Sequence, residues 1–426
     1  MTHLTPADDG YAEARQGFNL RNEALRPDAV VVCRSEGEVI AAIRRAAGTR
    51  LRVAGRRHGL LRRSEGAPVV EIQLQTGVLR VERDRLVVGP DATLGQISDA
   101  LLSEGRALPL GDCASVGIAG LTLGGGLGPM TRALGLTCDS LEGARMVDGR
   151  GLVRDSADDP LLLEVCRGGG GGRFGVVTEL RFRTHPAPQG LTRWRFERPT
   201  HDGEDVGALA ELWYPQVDQL PDAAFSRLEV TPGRLAVTLL AYGDPTPVSP
   251  VARALAEALP LVDAERFDAA RPEHLLRDYA PSYLSKSSLG FHSSAGARLS
   301  GLSAAAQEIL TAEGEIALEV ITLGGALAQG RGGVFAHRGA RFFASLHAAW
   351  RDPLLGPARL ERVARVHHLL DARGRAAHYC NFPHEDPEGW DEACFGRAAF
   401  RRLRTAGALF DPEHRLPGIA PQRGRP

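Results

Sequence analysis

The chain has 426 residues, with 51 basic against 52 acidic side chains, 13 histidines and 43% apolar content. That length holds two or three globular units, and a formal charge of −1 excludes a general field for nucleic acid or an anionic membrane. Charged residues at 24% with balanced signs exclude a disordered chain as well.

Residues 8–22 (DDGYAEARQGFNLRN) predict a short helix with an acidic first turn. AVVVC (29–33) predicts a buried strand. Val39, Ile40, Ile43 and Ala47 then fall at helical spacing, with Gly48 placed to end the helix. LRVAG (51–55) is a second strand that runs into an abrupt RRHG. PVVEIQL, VLRVERDRLVVG, EGARMVDGRGLVRDS and VVTELRFRTHP predict short strands, and ATLGQISDALLSEG an amphipathic helix between them. The texture changes from Gly190. Trp194 to Glu197, RLEVTPGRLAVTLLAYGD and EIALEVITLGGALAQ predict antiparallel strands. VSPVARALAEALPLV and SGLSAAAQEILTAE predict helices, as does the stretch from ARLERVARVHHLLDARG to LRTAGALFDPEHRLPG. Strands and helices in separate runs predict an α+β fold.

Six cysteines (33, 113, 138, 166, 380 and 394) contain no CxxC pair, so neither a structural zinc site nor a disulfide framework is expected, and no metal. The N-terminus lacks a basic-plus-apolar leader pattern, and no run approaches the ~18 apolar residues of a membrane span. A cytoplasmic protein is the expectation. Lys286 is the only lysine beside 50 arginines, which suggests a position that a guanidinium cannot fill.

The 50 glycines cluster. RVAGRRHG (52–59) is a strand ending in a glycine turn with a histidine at its tip. PLGDCASVGIAGLTLGGGLG (109–128) and CRGGGGGRFGVVT (166–178) are the other two clusters. Such turns expose consecutive backbone amides that cradle a pyrophosphate. No segment matches GxxxxGK[ST], and GGGLG (124–128) lacks the strand–helix context of a nicotinamide-binding turn.

Residues 22–187 resemble the FAD-binding domain of the vanillyl-alcohol-oxidase superfamily (the PCMH type), in its berberine-bridge-enzyme-like branch. The resemblance continues along the chain. YAEARQGFN and RPDAVV match the branch's opening, and GDCASVGIAGLTLGGGLG and RGGGGGRFGVVTELRFRTHP its two most specific signatures. KSS, LGGAL, FAHR, YCNF and LFDPEHRL follow in the family's order.

The resemblance implies an FAD-binding domain of two α+β subdomains over residues 1–187 and a substrate domain, an antiparallel sheet backed by helices, over 188–375. Residues 376–426 would return to the FAD domain. It implies covalent FAD, with His58 bonded to the flavin 8α-carbon and Cys113 to C6. Gly55, Arg56, Arg57, Gly111, Asp112, Ala114, Ser115, Val116, Gly117 and Gly120 would wrap the pyrophosphate and ribityl chain. Gly175, Val176 and Val177 would meet the adenine side through main-chain groups. Val116 matches the small residue that leaves dioxygen a path, and Asn381 would flank the ring beside Tyr379.

The implied reaction is oxidation of an alcohol, amine or C–H centre of a small molecule, a sugar or secondary metabolite, with electrons passed to dioxygen. Tyr379 would be the base, assisted by Glu319, which shares a strand face with Ile321 and Leu323. The alternative for Tyr379 is a core tyrosine with a satisfied hydroxyl. His337 and Arg338 fit the family's H-R landmark, with a salt bridge as their expected use.

Three positions depart from the family pattern. Arg57 stands where glycine is usual, and Arg173 and His414 stand where asparagine is usual. A side chain at a left-handed position costs about 1 kcal/mol or more, which Arg57 would offset by offering its guanidinium to the pyrophosphate. Two other functions remain open on the sequence: a flavin-free cyclase or binding protein on the same scaffold, and a flavin dehydrogenase using another acceptor. Oligomeric state is not legible.

Overall fold

The first apolar runs assemble as a mixed four-stranded sheet. The computed structural model describes residues 1–59, 69–200, 206–269, 287–296, 301–310, 312, 314–330, 332–370, 378–382 and 390–418. Lys286 lies outside these residues.

β1 (Thr2–Leu4), β2 (Ala29–Cys33), β3 (Arg50–Ala54) and β4 (Val69–Leu74) lie in the order β1-β2-β4-β3. β2 and β3 both run parallel to β4. Parallel strands need a crossover. The helix α2 (Glu36–Arg45) supplies it, capped by Ser35, whose hydroxyl accepts from the Glu38 amide. The helix preceding it, α1 (Tyr11–Arg15), has five residues, far short of the expected 8–22. The backbone turns extended at Gln16, and the next amides bond elsewhere: Phe18 N–H to Arg57 O and Leu20 N–H to Ser287 O. Tertiary partners end the helix where local propensity would continue it.

The second sheet holds β5 (Leu79–Glu82), β6 (Arg85–Val88), β8 (Leu141–Asp148), β9 (Val153–Asp155) and β10 (Gly175–Arg183), in the order β5-β6-β10-β8-β9. Between them come α3 (Leu94–Leu102), the short strand β7 (Arg106–Ala107), α4 (Ile118–Leu123), α5 (Thr131–Leu134) and α6 (Pro160–Cys166). β7 pairs with β11 (His185–Pro186).

The third sheet is built from β12 (Gln189–Pro199), β13 (Ala224–Thr231), β14 (Arg234–Tyr242), β15 (Leu261–Ala269), β16 (Ser288–Gly296), β17 (Ile316–Thr322) and β18 (Phe342–Trp350). Its order is β15-β12-β14-β13-β17-β18-β16, antiparallel throughout. α7 (Val206–Val217), α8 (Ser249–Ala258), α9 (Leu302–Leu310) and α11 (Gly356–Leu370) cover one face, where Leu228, Val237, Leu318 and Leu346 pack with Trp213, Leu255, Ile309 and Val363. A short α10 (Ala326–Gln329) follows β17. α12 (Trp390–Phe410), kinked at Gly396 where φ is 69°, sends Phe395, Leu403 and Phe410 into the core of the second sheet, against Leu86, Leu162 and Phe182.

The architecture is α+β, as the pattern predicts. Sequence reading missed α7, β15, β16 and β18. β18 (FFASLHAAW) is buried along its length, and a continuous apolar run has no period that separates strand from helix.

Because side chains alternate across a strand, the third sheet has a second face, and it differs from the first. Phe225, Leu240, Ile321 and Phe343 meet Met130, Leu136 and Tyr379 there. The same face carries Arg193, Arg195, Arg227, Glu229, Glu319 and Ser345 at alternate positions.

Candidate cofactor and active site

His58 and Cys113, 55 positions apart in sequence, lie on two loops that meet at Ser115. β3 delivers the chain to Gly55, and His58 follows the turn. Its imidazole is hydrogen-bonded to the Ser115 main chain, yet burial and then the Arg56 charge push its pKa down to about 4. The ring is therefore neutral at pH 7. Phe18 stacks on it with ring centroids 4.6 Å apart.

The Cys113 loop is fixed from behind by α3. Leu94 and Gly95 donate their amides to Val116 O and Ala114 O, and Val116 N–H closes a turn onto Cys113 O. Cys113 is a free, half-buried thiol 3.4 Å from Ser115 Oγ. Gly117 begins α4, and a Cβ there would lie 2.7 Å from Arg56 Cγ, so glycine is what lets the two loops close on each other. Ala114, Ser115 and Gly120 are exposed, and a Cβ on Gly55 or Gly120 would meet open space. Gly111 is buried against Leu94 and Leu121. Gly175, Val176 and Val177 pair with β8 on one edge, and the β6 ladder on the other edge begins only at Leu180. The Val176 and Val177 side chains are buried and Gly175 has none, which leaves main chain to present.

These residues fit FAD. Open-faced glycines border the two loops, a neutral imidazole and a thiol stand at their tips, and an unladdered strand edge lies beyond.

Tyr379 is buried, with its hydroxyl satisfied as in the core reading of this residue. Its hydroxyl is the acceptor for the Gly126 and Leu127 amides (3.1 and 3.4 Å) and for Asn381 Nδ2 at 3.1 Å. The residue is 3% exposed, and burial pushes its pKa well above the usual phenol range. The phenol anchors the GGGLG loop, and the three hydrogen bonds it accepts favour its ionised form against the larger effect of burial. Asn381 likewise docks on α4, donating to Gly120 O and Leu121 O, and a Cβ on Gly124 would collide with it.

Glu319 is the group with capacity to spare. Its Oε1 is buried and has no hydrogen-bond partner among the described residues. Burial raises its pKa to about 8; Arg227 pulls it down, while Glu229 and Asp112 push it up. Arg227 Nε lies 4.0 Å from Glu319 Oε2, and Arg227 Nη2 donates to Asp112 Oδ2 at 2.6 Å. The Asp112 side chain thus ties the Cys113 loop to β13, the strand beside the one that carries Glu319.

Sequence reading overlooked Arg227, Glu229 and Phe18. For Arg227 and Glu229 a signal existed. They alternate with apolar residues in FSRLEVT, the same charge-on-a-strand pattern that singled out Glu319.

The family departures have structural answers. Arg57 does adopt a left-handed backbone, φ 60°, but its guanidinium turns away from the glycine loops to the Glu13 and Ala14 carbonyls at the end of α1. It is not a pyrophosphate ligand here, which corrects the sequence expectation. Arg173 donates to Gly418 O and Asp391, joining α12 to the chain beyond it. Arg338 forms the expected salt bridge, a two-pronged one with Asp139, and His337 Nε2 bonds to His378 O.

Among the described residues no helix is long and apolar enough to cross a membrane, and no group of His, Cys, Asp and Glu could hold a metal ion.

With this geometry in place, residues 27–156 match the family model described as an FAD binding domain. Over 240 residues the chain is 33% identical to an uncharacterized FAD-linked oxidoreductase, YgaK, of Bacillus subtilis, covering 54% of this chain and about half (52%) of that protein. It is 28% identical to YvdP of the same organism, also an uncharacterized FAD-linked oxidoreductase, over 98% of this chain and 97% of the relative. A stretch of 185 residues, 40% of this chain and 34% of the other, is 37% identical to aclacinomycin-N/aclacinomycin-A oxidase of Streptomyces galilaeus. Among solved structures, BBE-like 1 of Physcomitrella patens superposes with a TM-score of 0.86 at 20% identity, covering 100% of this chain and 97% of that one. Glucooligosaccharide oxidase of Acremonium strictum, described with a 6-S-cysteinyl, 8α-N1-histidyl FAD, also gives 0.86 at 20% identity over 98% and 96% of the two chains.

Proposed function

We propose that this chain, an FAD-linked oxidoreductase with the berberine-bridge-enzyme-like fold, is an oxidase of a hydroxyl-bearing small molecule in which Glu319 is the catalytic base. The observation that carries the reading is the buried Glu319 Oε1, unpartnered among the described residues, on the sheet face that Arg227 and Asp112 join to the Cys113 loop.

When bound, FAD supplies the acceptor for the electron pair of a substrate C–H bond. His58 and Cys113 would hold it covalently, Gly55, Gly117 and Gly120 would line its path, and the main chain of Gly175 to Val177 would receive the adenine end. Glu319 takes the substrate hydroxyl proton at Oε1. A carboxyl with a pKa near 8 is matched to that work, because general-base efficiency is greatest when pKa lies near the working pH. Arg227 holds the carboxylate once it ionises. Tyr379 and Asn381 keep the GGGLG loop in place and take no proton.

Two relatives named as oxidases support dioxygen as the acceptor, and Val116, half-buried behind the Cys113 loop, matches the residue type that leaves it a path. The polar sheet face, with Arg195, Glu229 and Ser345 around Glu319, supports a sugar or hydroxylated metabolite over an apolar scaffold. The name of the aclacinomycin oxidase supports secondary metabolism. The experiment is an absorbance spectrum followed by oxygen uptake over a panel of sugars and hydroxylated aromatics. A colourless protein that FAD cannot load overturns the reading, as does substrate oxidation that Glu319→Gln leaves intact.

A further inference from the structure

Residues 16–22 form a continuous bridge between the His58 turn and the edge of the third sheet. On one side, Phe18 donates its amide to Arg57 O at 3.0 Å and stacks its ring on His58, while Asn22 Nδ2 donates to Gly59 O at 3.3 Å. On the other, Asn19, fully buried, exchanges two 2.9 Å hydrogen bonds with the Leu289 main chain, and Leu20 N–H bonds to Ser287 O. Arg57 fastens the bridge behind, at Glu13 O and Ala14 O, where Gln73 Nε2 also donates to Ala14 O at 2.8 Å.

An isolated loop histidine would rotate about its side-chain bonds and titrate near its ordinary pKa. Here one ring face is covered by Phe18, one edge is held by the Ser115 main chain, and the backbone before it is pinned through Arg57. A non-glycine residue held at φ 60° is strained. Charge-assisted hydrogen bonds from the Arg57 guanidinium to Glu13 O and Ala14 O, at the end of α1 just ahead of the bridge, offset that strain. The Phe18 amide, bonded to Arg57 O, is the bridge's own hold on the same residue.

We infer that residues 16–22 are a positioning strap for covalent flavin attachment, with Phe18 setting the plane of the His58 imidazole and Asn19 referring that plane to the substrate sheet. This rests on the reading that His58 bonds FAD. In that step one C–H of the ring methyl is replaced by a C–N bond made with the imidazole lone pair. The C–H electron pair goes to the flavin ring, and the methyl and imidazole protons are released. Dioxygen then takes the pair and two protons as hydrogen peroxide. The attacking nitrogen must point at one carbon, and misplacement by about 1 Å can cost on the order of a hundredfold in rate.

The test uses the full chain carrying Cys113→Ala, so that only the His58 bond is counted. Flavin-free protein is mixed with FAD, and two quantities are followed: FAD bound, by fluorescence quenching, and FAD retained after acid precipitation, by intact mass. Phe18→Ala is expected to bind FAD and to link it about tenfold more slowly or worse. Phe18→Tyr, which keeps the ring, is expected to link at the parent rate, and Asn19→Ala to fall between. If Phe18→Ala does not hold FAD at all, Phe18→Leu replaces it, with the same expectation. Linking at the parent rate by the Ala or Leu variant overturns the strap, and so does failure of Phe18→Tyr to restore it. A parent with no acid-stable flavin overturns the strap together with the His58 reading, and that failure is recognised because it occurs without any strap substitution.

Discussion

Glu229 and Glu319 face each other directly across the β13–β17 ladder, two carboxyl groups on adjacent strands with Arg227 and Arg195 as the cations beside them. Both are held above the usual carboxylate range, by burial first. Like charges placed directly opposite in a sheet are destabilising, so the arrangement keeps a proton at this spot near neutral pH.

The first consequence concerns pH and rate. With Glu319 as base, kcat/KM should rise through about pH 8 as its carboxyl ionises. Glu319→Gln should remove that limb and lower turnover by about 10²–10⁴-fold. Glu229→Gln should move the limb downward, since one source of repulsion is gone. A limb that stays in place in Glu319→Gln would assign the base elsewhere.

Stability follows the same group with a definite sign. A carboxyl whose folded pKa is raised contributes stability that is complete below its unfolded pKa and is lost as pH rises through the folded value, here about 8. Glu319→Gln should therefore melt higher than the parent above that pH, and the two should converge in acid. Thermal melts across the range check it.

Tyr379→Phe separates anchor from base. Removing the hydroxyl strands the Gly126 and Leu127 amides, a loss of about 1–3 kcal/mol. The pH profile of turnover should not move. A profile that shifts would return Tyr379 to the proton chemistry.

His414 offers a stabilising substitution. It holds φ 51° with its side chain exposed, and asparagine tolerates the left-handed region better than histidine does. His414→Asn should gain up to about 1 kcal/mol, read as a higher melting temperature, without altering flavin content.

Arg173→Asn addresses the glycine cluster. The guanidinium bonds to Asp391 and Gly418 O, so its loss should loosen α12 by about 1.5–3 kcal/mol and leave FAD binding unchanged. Loss of flavin at constant stability would place Arg173 at the cofactor instead.

What the sequence determined by itself was the class of fold, most of the elements, and the two loops that carry His58 and Cys113. Alternation, turn glycines and motif order are local properties, and the backbone keeps them. It also marked Glu319, because a carboxylate among alternating apolar residues has to face something. The tertiary structure decided the division of labour. Tyr379 in its motif reads equally as a base or as a core residue, and only packing showed its hydroxyl taken up by the Gly126 and Leu127 amides, 253 and 252 positions away. Arg57 was legible as a strained position, but the direction of its guanidinium depended on where α1 ends. That end is set by hydrogen bonds from Phe18 and Leu20 to distant chain, a long-range energy that no local pattern records. The pairing of Glu229 with Glu319 has the same origin. Register between β13 and β17 is fixed by which faces are buried, so the two carboxyls, 90 positions apart, became neighbours only when the sheet closed.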